Sequence, residues 1–398
     1  MERCVGTVAR GIRIPIVREG DNIEEVVVSS LLKAAANDGF TIRDRDVVGL
    51  TESIVARAQG NYATVDAIAS DLRAKFSDAA PLGVVFPILS RNRFAVLLKA
   101  IARSVQHVVI QFSYPSDEVG NQLLTADQLE KCGVNPWSDD LSEERFKELF
   151  GNPLHPFTGV DYISYYRFLV EAEGAKCTMI FSNRPQAVVK KTSQVLVCDV
   201  HTRHKTKERL LAAGAEHVLS LDQVLVSSVD GSGFHPQYGL LGSNKSGEEG
   251  VKLFPRDCQP VVEGIQRRLL EATGCKVEVM VYGDGAFKDP VGQIWELADP
   301  VVSPAYTRGL EGTPNEIKLK YLADNQFSGL NGEELRKAIV ASIRDKKQDL
   351  NGSMESQGTT PRRITDLIGS LCDLTSGSGD KGTPVVHIQG YFDNLASV

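Results

Sequence analysis

Between about residues 81 and 225, short apolar runs alternate with stretches of helical periodicity, and this alternation constrains the fold more than any other feature. The runs are GVVFPIL, HVVIQFS, KCTMIFSN and QVLVCDV, and the stretches between them include RFAVLLKAIARS and TKERLLAAGA. A strand that is buried on both faces reads as a continuous apolar run, and parallel strands are usually connected by a helix. The region is therefore predicted to form a parallel sheet covered by helices.

The flanking regions have a different pattern. Residues 1 to 80 mix β-like runs such as VGTVARGI with helix-like runs such as VDAIASDLRAKF, and residues 226 to 398 pass from a glycine-rich stretch to strands such as KVEVMVYGDG. A chain of 398 residues is too long for one ordinary compact domain. We predict a mixed α/β and α+β chain in three parts, 1–80, 81–225 and 226–398, in which the middle part is an inserted Rossmann-like α/β domain.

Charge and hydropathy exclude two classes of partner. The formal net charge is −7 and no basic stripe is present, so nucleic acid is not an expected ligand. No segment approaches the roughly 18 consecutive apolar residues that a membrane span needs, and the N-terminal residues lack the apolar core of a signal peptide. The sequence predicts a cytoplasmic protein that does not enter a membrane.

Two loops carry groups that suit phosphate oxygens. In DRDVVGLTESIVARAQG an apolar strand is followed by Thr51, Ser53 and Arg57, whose hydroxyl and guanidinium groups can bind a nucleotide. The glycine-rich segment VDGSGFHPQYGLLGSNKSGEEG has a polar centre formed by Ser243, Asn244 and Lys245. The structural alternatives are a turn with a surface arginine for the first loop and a long flexible loop for the second.

Carboxylates and cations follow the strand in VEVMVYGDGAFKDPVGQIWELADP. Asp284 lies between two glycines at the strand end, and Lys288 and Asp289 come shortly after it. Oxygen ligands in such a position suit Mg²⁺ or Mn²⁺, which also bridge to substrate phosphates. The alternative is an Asp-Gly turn without a ligand.

A helix N-terminus in MESQGTTPRRITDLIGSLCDL is predicted to attract anions. Thr359 and Thr360 precede the predicted helix, Arg362 and Arg363 lie just inside it, and Asp366 lies one turn in. The alternative is a solvated arginine pair. The following TSGSGDKGTPVVHIQG has G-x-G-x-x-G spacing, but it leads from a helix into a strand, which is the reverse of a dinucleotide-binding motif.

The run QVLVCDVHTRHKTKERLLAAGAEHV bears a loose similarity to the ribose-phosphate loop of phosphoribosyltransferases. Its strand ends at Asp199, and His201, Thr202, His204 and Thr206 follow before or within a helix. The paired acidic residues and Thr-Gly turn of that family are missing, and the H-x-x-H spacing lacks a further metal ligand. The sequence alone favours a polar helix start here.

Taken in order, GIRIPIVREGDNIEEVV, DRDVVGLTESIVARAQG, GLLGSN, VEVMVYGDG and TDLIGS…GSGDKGTPVVHIQG resemble the coenzyme F-420 gamma-glutamyl ligase family. The resemblance covers roughly the first 80 and last 170 residues. It implies that the protein binds GTP or ATP with Mg²⁺ or Mn²⁺, phosphorylates a carboxylate of a small acceptor, and joins that carboxylate to L-glutamate. It also implies a homodimer and a two-part ligase-like fold.

The resemblance assigns residues by position. Asp284 matches the family's metal-binding aspartate, and Asp366 falls in its acidic helix motif. The aspartate of the family's G-I-D-x-S-N motif is Leu241 here, so Asp230 or Asp289 would complete the metal site. The predicted catalytic residues are Asp284, Arg362 and Lys288. The predicted nucleotide-binding residues are Thr51, Ser53, Arg57, Ser243, Asn244, Lys245, Thr359, Thr360 and Arg363.

Two further hypotheses remain beside the ligase. The first is a phosphotransferase or phosphoribosyl-type enzyme built on the inserted domain. The second is a sensor that binds a nucleotide without turning it over, which the leucine at position 241 favours.

Overall fold

The computed structural model describes residues 4–283, 304–347, 349–350, 352–356, 362–376 and 380–397, with the backbone alone at 286–288 and 295–297. The chain divides into two compact units. The first unit is drawn from Met1–Ala58, Asp257–Phe287 and Leu297–Val398, and the second from Gln59–Arg256 and Lys288–Glu296. The domain limits at 80 and 225 stay predictions.

The elements are numbered in chain order. The strands are β1 Val8–Ile12, β2 Val47–Thr51, β3 Tyr62–Thr64, β4 Leu82–Val85, β5 His107–Phe112, β6 Leu141–Ser142, β7 Lys176–Phe181, β8 Gln194–Val197, β9 His217–Ser220, β10 Asn244–Lys245, β11 Gly250–Lys252, β12 Glu278–Tyr282, β13 Ala286–Lys288, β14 Trp295–Leu297, β15 Ala305–Tyr306 and β16 Val385–Gln389. The α-helices are α1 Ile23–Asp38, α2 Glu52–Ala58, α3 Val65–Lys75, α4 Phe94–Ser104, α5 Ala126–Lys131, α6 Glu143–Phe150, α7 Tyr162–Ala172, α8 Arg203–Ala212, α9 Cys258–Thr273, α10 Leu319–Tyr321, α11 Gly332–Arg344 and α12 Ile364–Thr375.

A five-stranded sheet in the order β1-β16-β2-β12-β15 forms the centre of the first unit. The β2 and β12 strands are parallel, and their neighbours run antiparallel to them. Alternate residues of β2 face opposite sides, as the pleat of a strand requires. Val48 and Leu50 share an apolar cluster with α1 and α9, whereas Val47 packs in a second cluster with α12. The sheet is therefore covered by helices on both faces.

Local sequence signals set the limits of α1, which covers one face of this sheet. The Asn22 side chain caps its first turn by accepting the backbone N–H of Glu25 at 3.1 Å. Gly39 ends the helix with a left-handed φ of 69°, a conformation that glycine adopts without steric cost. Buried Val27 and Leu31 then direct one face of the helix toward the core.

The second unit contains a six-stranded sheet in the order β6-β7-β5-β4-β8-β9. All pairs from β7 to β9 are parallel, and only the short edge strand β6 is antiparallel. The α3, α4 and α7 helices pack on one face of the sheet, and α8 packs on the other. The chain moves outward from β4 to β5 and β7, returns to β8 and continues to β9. The direction of winding therefore reverses between β4 and β8.

These findings confirm the mixed α/β class and the parallel sheet predicted from the alternating runs. One local prediction was wrong. The α12 helix begins at Ile364, so Arg362 and Arg363 precede it instead of lying inside it. Arg363 has extended backbone with ψ of 149°, which makes it the cap residue. Within the described part of the chain, no helix has both the length and the apolar character needed to cross a membrane.

Candidate functional site

Three chain segments of the first unit meet the central sheet at the same end, namely the start of α2, the chain after β12 and the chain that leads into β16. Thr51 at the end of β2 is paired with Tyr282 at the end of the parallel strand β12. The antiparallel strand β16 begins there, because Val385 is paired with Leu50 and the Thr51 N–H donates to the Pro384 carbonyl at 3.0 Å. Loops at the carboxyl ends of parallel strands are a common place for ligand-binding groups. We call this end of the sheet, where β2 and β12 finish, the β2–β12 edge and define it by Thr51, Tyr282 and Pro384.

The α2 helix presents the predicted phosphate-binding groups at this edge. Thr51 is half-buried at the strand end, and the helix starts with the next residue. Ser53 and Arg57 are both exposed and lie four residues apart, so they share one face of the helix. The structure therefore brings a hydroxyl and a guanidinium together on an exposed surface that begins at Thr51.

A buried carboxylate at the same position was not among the predicted site residues. Glu52 is only 6% exposed, and its charge acts on the thiol of Cys258 at the start of α9. Burial, and then the charges of Glu52 and Asp257, raise the pKa of Cys258 to about 12. The signal that could have identified Glu52 was a carboxylate placed directly after an apolar strand.

The two carboxylates predicted after β12 lie outside the described residues. The strand is buried along its whole length and ends at Tyr282. Asp284 follows two residues later and lies outside the described residues, as do Asp289, Thr359 and Thr360. Lys288 lies in β13, where only the backbone is described. The roles of these residues stay predictions.

The α12 helix lies with its C-terminal end at the β2–β12 edge. Cys372 packs beneath Gly49 of β2, and the chain after the helix enters β16 beside Thr51. At the other end, the Ile364 N–H donates to the Gly312 carbonyl at 3.0 Å. Gly312 closely follows the segment whose Gly309 N–H donates to Glu278, the residue at which β12 begins. The first turn of α12 therefore lies toward the opposite end of the sheet.

This orientation separates two groups of predicted residues. Arg362 and Arg363 precede α12, and Asp366 lies in its first turn. Nine residues separate Asp366 from Thr375 at the other end of the helix, which corresponds to roughly 13 Å along the axis. The structure thus places Thr51, Ser53 and Arg57 at one edge and Arg362, Arg363 and Asp366 toward the other.

The predicted residues of the second unit lie in turns and in a small sheet. Asp230 has a φ of 53° and borders a cavity of about 470 Å³ that is also lined by the turn from Ser246 to Gly250. Asn244 and Lys245 form β10, and the Lys245 ammonium is 2.8 Å from the Glu248 carboxylate. Ser243 is buried, and its hydroxyl has no partner among the described residues. The ion pair with Glu248 already balances the Lys245 charge.

Leu241 occupies the position at which the resemblance expects a metal-binding aspartate. The side chain is 8% exposed and belongs to the main apolar cluster of the second unit. A carboxylate in such surroundings would lose its hydration without gaining a partner. Across the described part of the chain, no three His, Cys, Asp or Glu side chains are grouped so that they could hold a metal ion.

Comparison with known proteins identifies the family. The chain matches the family model described as F420-0:Gamma-glutamyl ligase over residues 11–390, which is nearly its whole length. No curated protein matches the chain. The matched family is one of ligases that form γ-glutamyl bonds, so the predicted enzyme class is confirmed at that level.

Proposed function

Since the chain belongs to the F420-0:gamma-glutamyl ligase family, we propose that it joins L-glutamate through an amide bond to a carboxylate of a small acceptor. The energy comes from GTP or ATP, with Mg²⁺ or Mn²⁺ as the divalent cation, and the active form is a homodimer. The observation that carries this proposal is that Thr51, Ser53 and Arg57 lie at the β2–β12 edge, where α2 begins, β12 ends and the chain enters β16.

The groups at this edge suit phosphoryl transfer. Thr51 and Ser53 can donate hydroxyl hydrogen bonds to phosphate oxygens, and the Arg57 guanidinium can bind two of those oxygens at once. Catalysis of phosphoryl transfer depends mainly on positioning and on neutralising charge. Arg362 lies toward the opposite end of the sheet, so its predicted catalytic role is not part of this proposal, and the role of Lys288 stays a prediction.

The reaction proceeds in two balanced steps. An oxygen of the acceptor carboxylate attacks the γ-phosphorus, and the bond to the β-phosphate oxygen breaks to release the nucleoside diphosphate. The uncharged amine of glutamate then attacks the carbonyl carbon of the acyl phosphate. The C–N bond forms, inorganic phosphate leaves with the electron pair of the C–O bond, and the amine loses one proton to solvent.

In this proposal the ligand of the divalent cation follows the end of β12, outside the described residues. Among the described residues, no three His, Cys, Asp or Glu side chains are grouped so that they could hold a metal ion. We assign the metal to Asp284, which follows β12 in the sequence, and we derive no step through it. The orientation of α12 puts Asp366 toward the other end of the sheet, so Asp366 is not part of this assignment.

One observation favours a second candidate function, a nucleotide-binding sensor without turnover. Leu241 stands in the apolar core at the position of a family metal ligand. A protein that kept the nucleotide pocket and lost one metal site would bind GTP or ATP and release no phosphate.

The test uses the full chain with GTP or ATP, Mn²⁺ or Mg²⁺, labelled glutamate and a small-molecule extract of cells. The ligase is supported by label transfer to a new product together with phosphate release that depends on the extract. Nucleotide binding without either signal would replace the ligase with the sensor. Absence of nucleotide binding would reject both.

Two matched substitutions locate the chemistry. Asp284→Asn and Asp366→Asn each remove one carboxylate charge from the first unit. We expect Asp284→Asn to lower the rate of ligation by about 10²-fold or more, because the metal ion would lose a negatively charged ligand. We expect Asp366→Asn to change that rate by less than about threefold. Equal losses would show that the first turn of α12 reaches the site, and an unchanged rate in Asp284→Asn would remove Asp284 from it. Thermal melting of both variants checks the fold.

A further inference from the structure

In the second unit the winding of the parallel sheet reverses between β4 and β8, and we call the space outside the carboxyl ends of these two strands the crevice. The β4 and β8 strands are neighbours, yet the chain leaves them toward opposite faces, since α4 follows β4 on one face and α8 follows β8 on the other. In open parallel sheets, ligands bind outside the carboxyl ends of the strands at such a reversal. The segment after β8 is Cys198–Thr202, followed directly by α8.

The first turn of α8 has neither a side-chain cap nor an acidic residue, as is also true of α4 and α9. Asn22, Ser142 and Asp161 cap α1, α6 and α7 with their side chains. Thr202 makes no such cap, and no acidic residue lies in the first turn of α8. Three exposed side chains there are basic, namely His201, His204 and Lys205, and the Thr202 side chain is exposed beside them. An uncapped helix start of this kind attracts anions through its N–H groups and its dipole.

An unsatisfied acceptor lies beneath this helix start. Asp199 is only 1% exposed, and its Oδ2 accepts the hydroxyls of Thr202 at 2.5 Å and Thr206 at 2.8 Å. Its Oδ1 has no hydrogen-bond partner among the described residues. A buried carboxylate oxygen without a donor costs free energy, so a ligand that donates a hydrogen bond there would recover it.

The Glu118 carboxylate holds the segment that covers Asp199. Its two oxygens accept the backbone N–H groups of Val200 and His201, the second at 3.0 Å. Two successive backbone N–H groups that point at one carboxylate form a small anion-binding site. In this structure an internal side chain occupies that site, and Glu118 itself is half-buried at the surface of the crevice.

The charged and polar groups at the crevice lie at two depths, which we call the inner layer and the outer layer. Inside are the acceptors Asp199 and Glu118, and burial raises the pKa of both carboxyls. Outside are backbone N–H groups and the basic side chains of the first turn of α8. A ligand that matches both layers carries hydroxyl donors at one end and an anion at the other. Inorganic phosphate matches only the outer layer, and a free metal ion matches only the inner one.

We propose that the second unit binds a phosphorylated sugar at this crevice, with the phosphate on the N–H groups at the start of α8 and a sugar hydroxyl donating to Asp199 Oδ1. The phosphate displaces Glu118 from the N–H groups of Val200 and His201. That displacement releases the segment over Asp199 and gives the hydroxyl access to it. The proposal concerns the second unit and does not depend on the ligase reaction.

Calorimetric titration of the full chain with ribose 5-phosphate, ribose, inorganic phosphate and MgCl₂ tests the proposal. Ribose 5-phosphate is expected to bind more tightly than phosphate, and ribose to give no measurable heat. Lys205→Glu should weaken ribose 5-phosphate and phosphate roughly tenfold, because it reverses a charge beside the helix start. The matched control Arg209→Glu reverses a charge in the last turn of the same helix and should change affinity less than about twofold.

Two further variants separate the layers. Asp199→Asn should weaken ribose 5-phosphate about tenfold while phosphate binds as well as before or better, because the carboxylate accepts a hydroxyl more strongly than an amide does. Glu118→Gln should tighten both ligands several-fold, since it removes the competing negative charge. Melting curves check the fold, and if Asp199→Asn does not fold, the Lys205 and Arg209 pair decides.

The proposal is overturned if ribose 5-phosphate gives no heat at millimolar concentration. It is equally overturned if Lys205→Glu and Arg209→Glu have the same effect, which would indicate a non-specific charge response. Binding of Mg²⁺ that Asp199→Asn abolishes, with ribose 5-phosphate unaffected, would replace the sugar phosphate with a cation site.

Discussion

Replacing Gly49 with alanine tests how closely α12 packs against the sheet at the β2–β12 edge. A Cβ atom at this position would lie 2.4 Å from the Cys372 Sγ and 3.4 Å from the Tyr282 ring. Carbon and sulfur in contact need about 3.5–4 Å, so α12 or β2 must move by more than about 1 Å. Overpacking of this kind costs about 1–3 kcal/mol, of which alanine's better strand propensity returns roughly 0.5–1 kcal/mol. We expect Gly49→Ala to lower the free energy of unfolding by about 1–2 kcal/mol.

The decisive measurement is a double-mutant cycle by urea unfolding, followed by circular dichroism. Cys372→Ala alone should cost on the order of 1 kcal/mol, because it empties the space of one buried sulfur. In Gly49→Ala/Cys372→Ala the new methyl group fills part of that space, so the double variant should be more stable than the sum of the single losses by about 1 kcal/mol or more. Gly329→Ala, at which a Cβ meets nothing within 4 Å, is the control. Additive losses, or an unchanged Gly49→Ala, would refute the close packing.

Two further predictions concern ionisable groups. Burial raises the pKa of Glu118 above its ordinary value, so the stability associated with its protonated form is fully present below about pH 4.3 and is lost as pH rises through the raised pKa. Glu118→Gln should therefore flatten the fall in unfolding free energy with rising pH, and an unchanged slope would count against the burial of this charge. Burial raises the pKa of Cys177 and Cys258 to about 12, so at pH 8 their thiolate fraction is roughly 10⁻⁴. Ellman's reagent should react quickly with the exposed Cys4 and Cys132, and rapid labelling of Cys177 or Cys258 in the folded protein, mapped by mass spectrometry, would contradict this.

Three strands of the second unit, β4, β5 and β8, were predictable because they are buried on both faces, whereas one face of β7 is only partly buried. GVVFPIL, HVVIQFS, KCTMIFSN and QVLVCDV each overlap a strand of the sheet, at β4, β5, β7 and β8. A strand between two helical layers has no polar face, so it reads as an uninterrupted apolar run. The order of the strands in the sheet was not predictable in the same way, since it depends on crossover geometry that apolar patterning does not encode.

The position of a helix end and the direction of a helix were harder to predict. The Thr-Thr-Pro-Arg-Arg sequence suggested a helix that contained Arg362 and Arg363, because proline favours the first turn. The extended backbone of Arg363 moves the start to Ile364. That α12 runs with Asp366 away from the β2–β12 edge follows from long-range contacts, namely Ile364 with Gly312 and Cys372 with Gly49. No local pattern contains that information.

Both candidate sites proposed for this chain rest on polar side chains that directly follow buried strands, and neither rests on glycine spacing. Thr51 and Asp199 each come at the carboxyl end of a parallel strand that precedes a helix. The G-x-G-x-x-G spacing near the C-terminus has the opposite context, because it follows α12 and leads into β16. A buried strand holds its backbone in place, so the residues that follow its end can face solvent from a defined position. Glycine spacing alone does not hold a loop in one conformation. In this chain the rule points to one candidate ligand site in each unit, and the two can be tested independently by substitutions at Asp284 and Lys205.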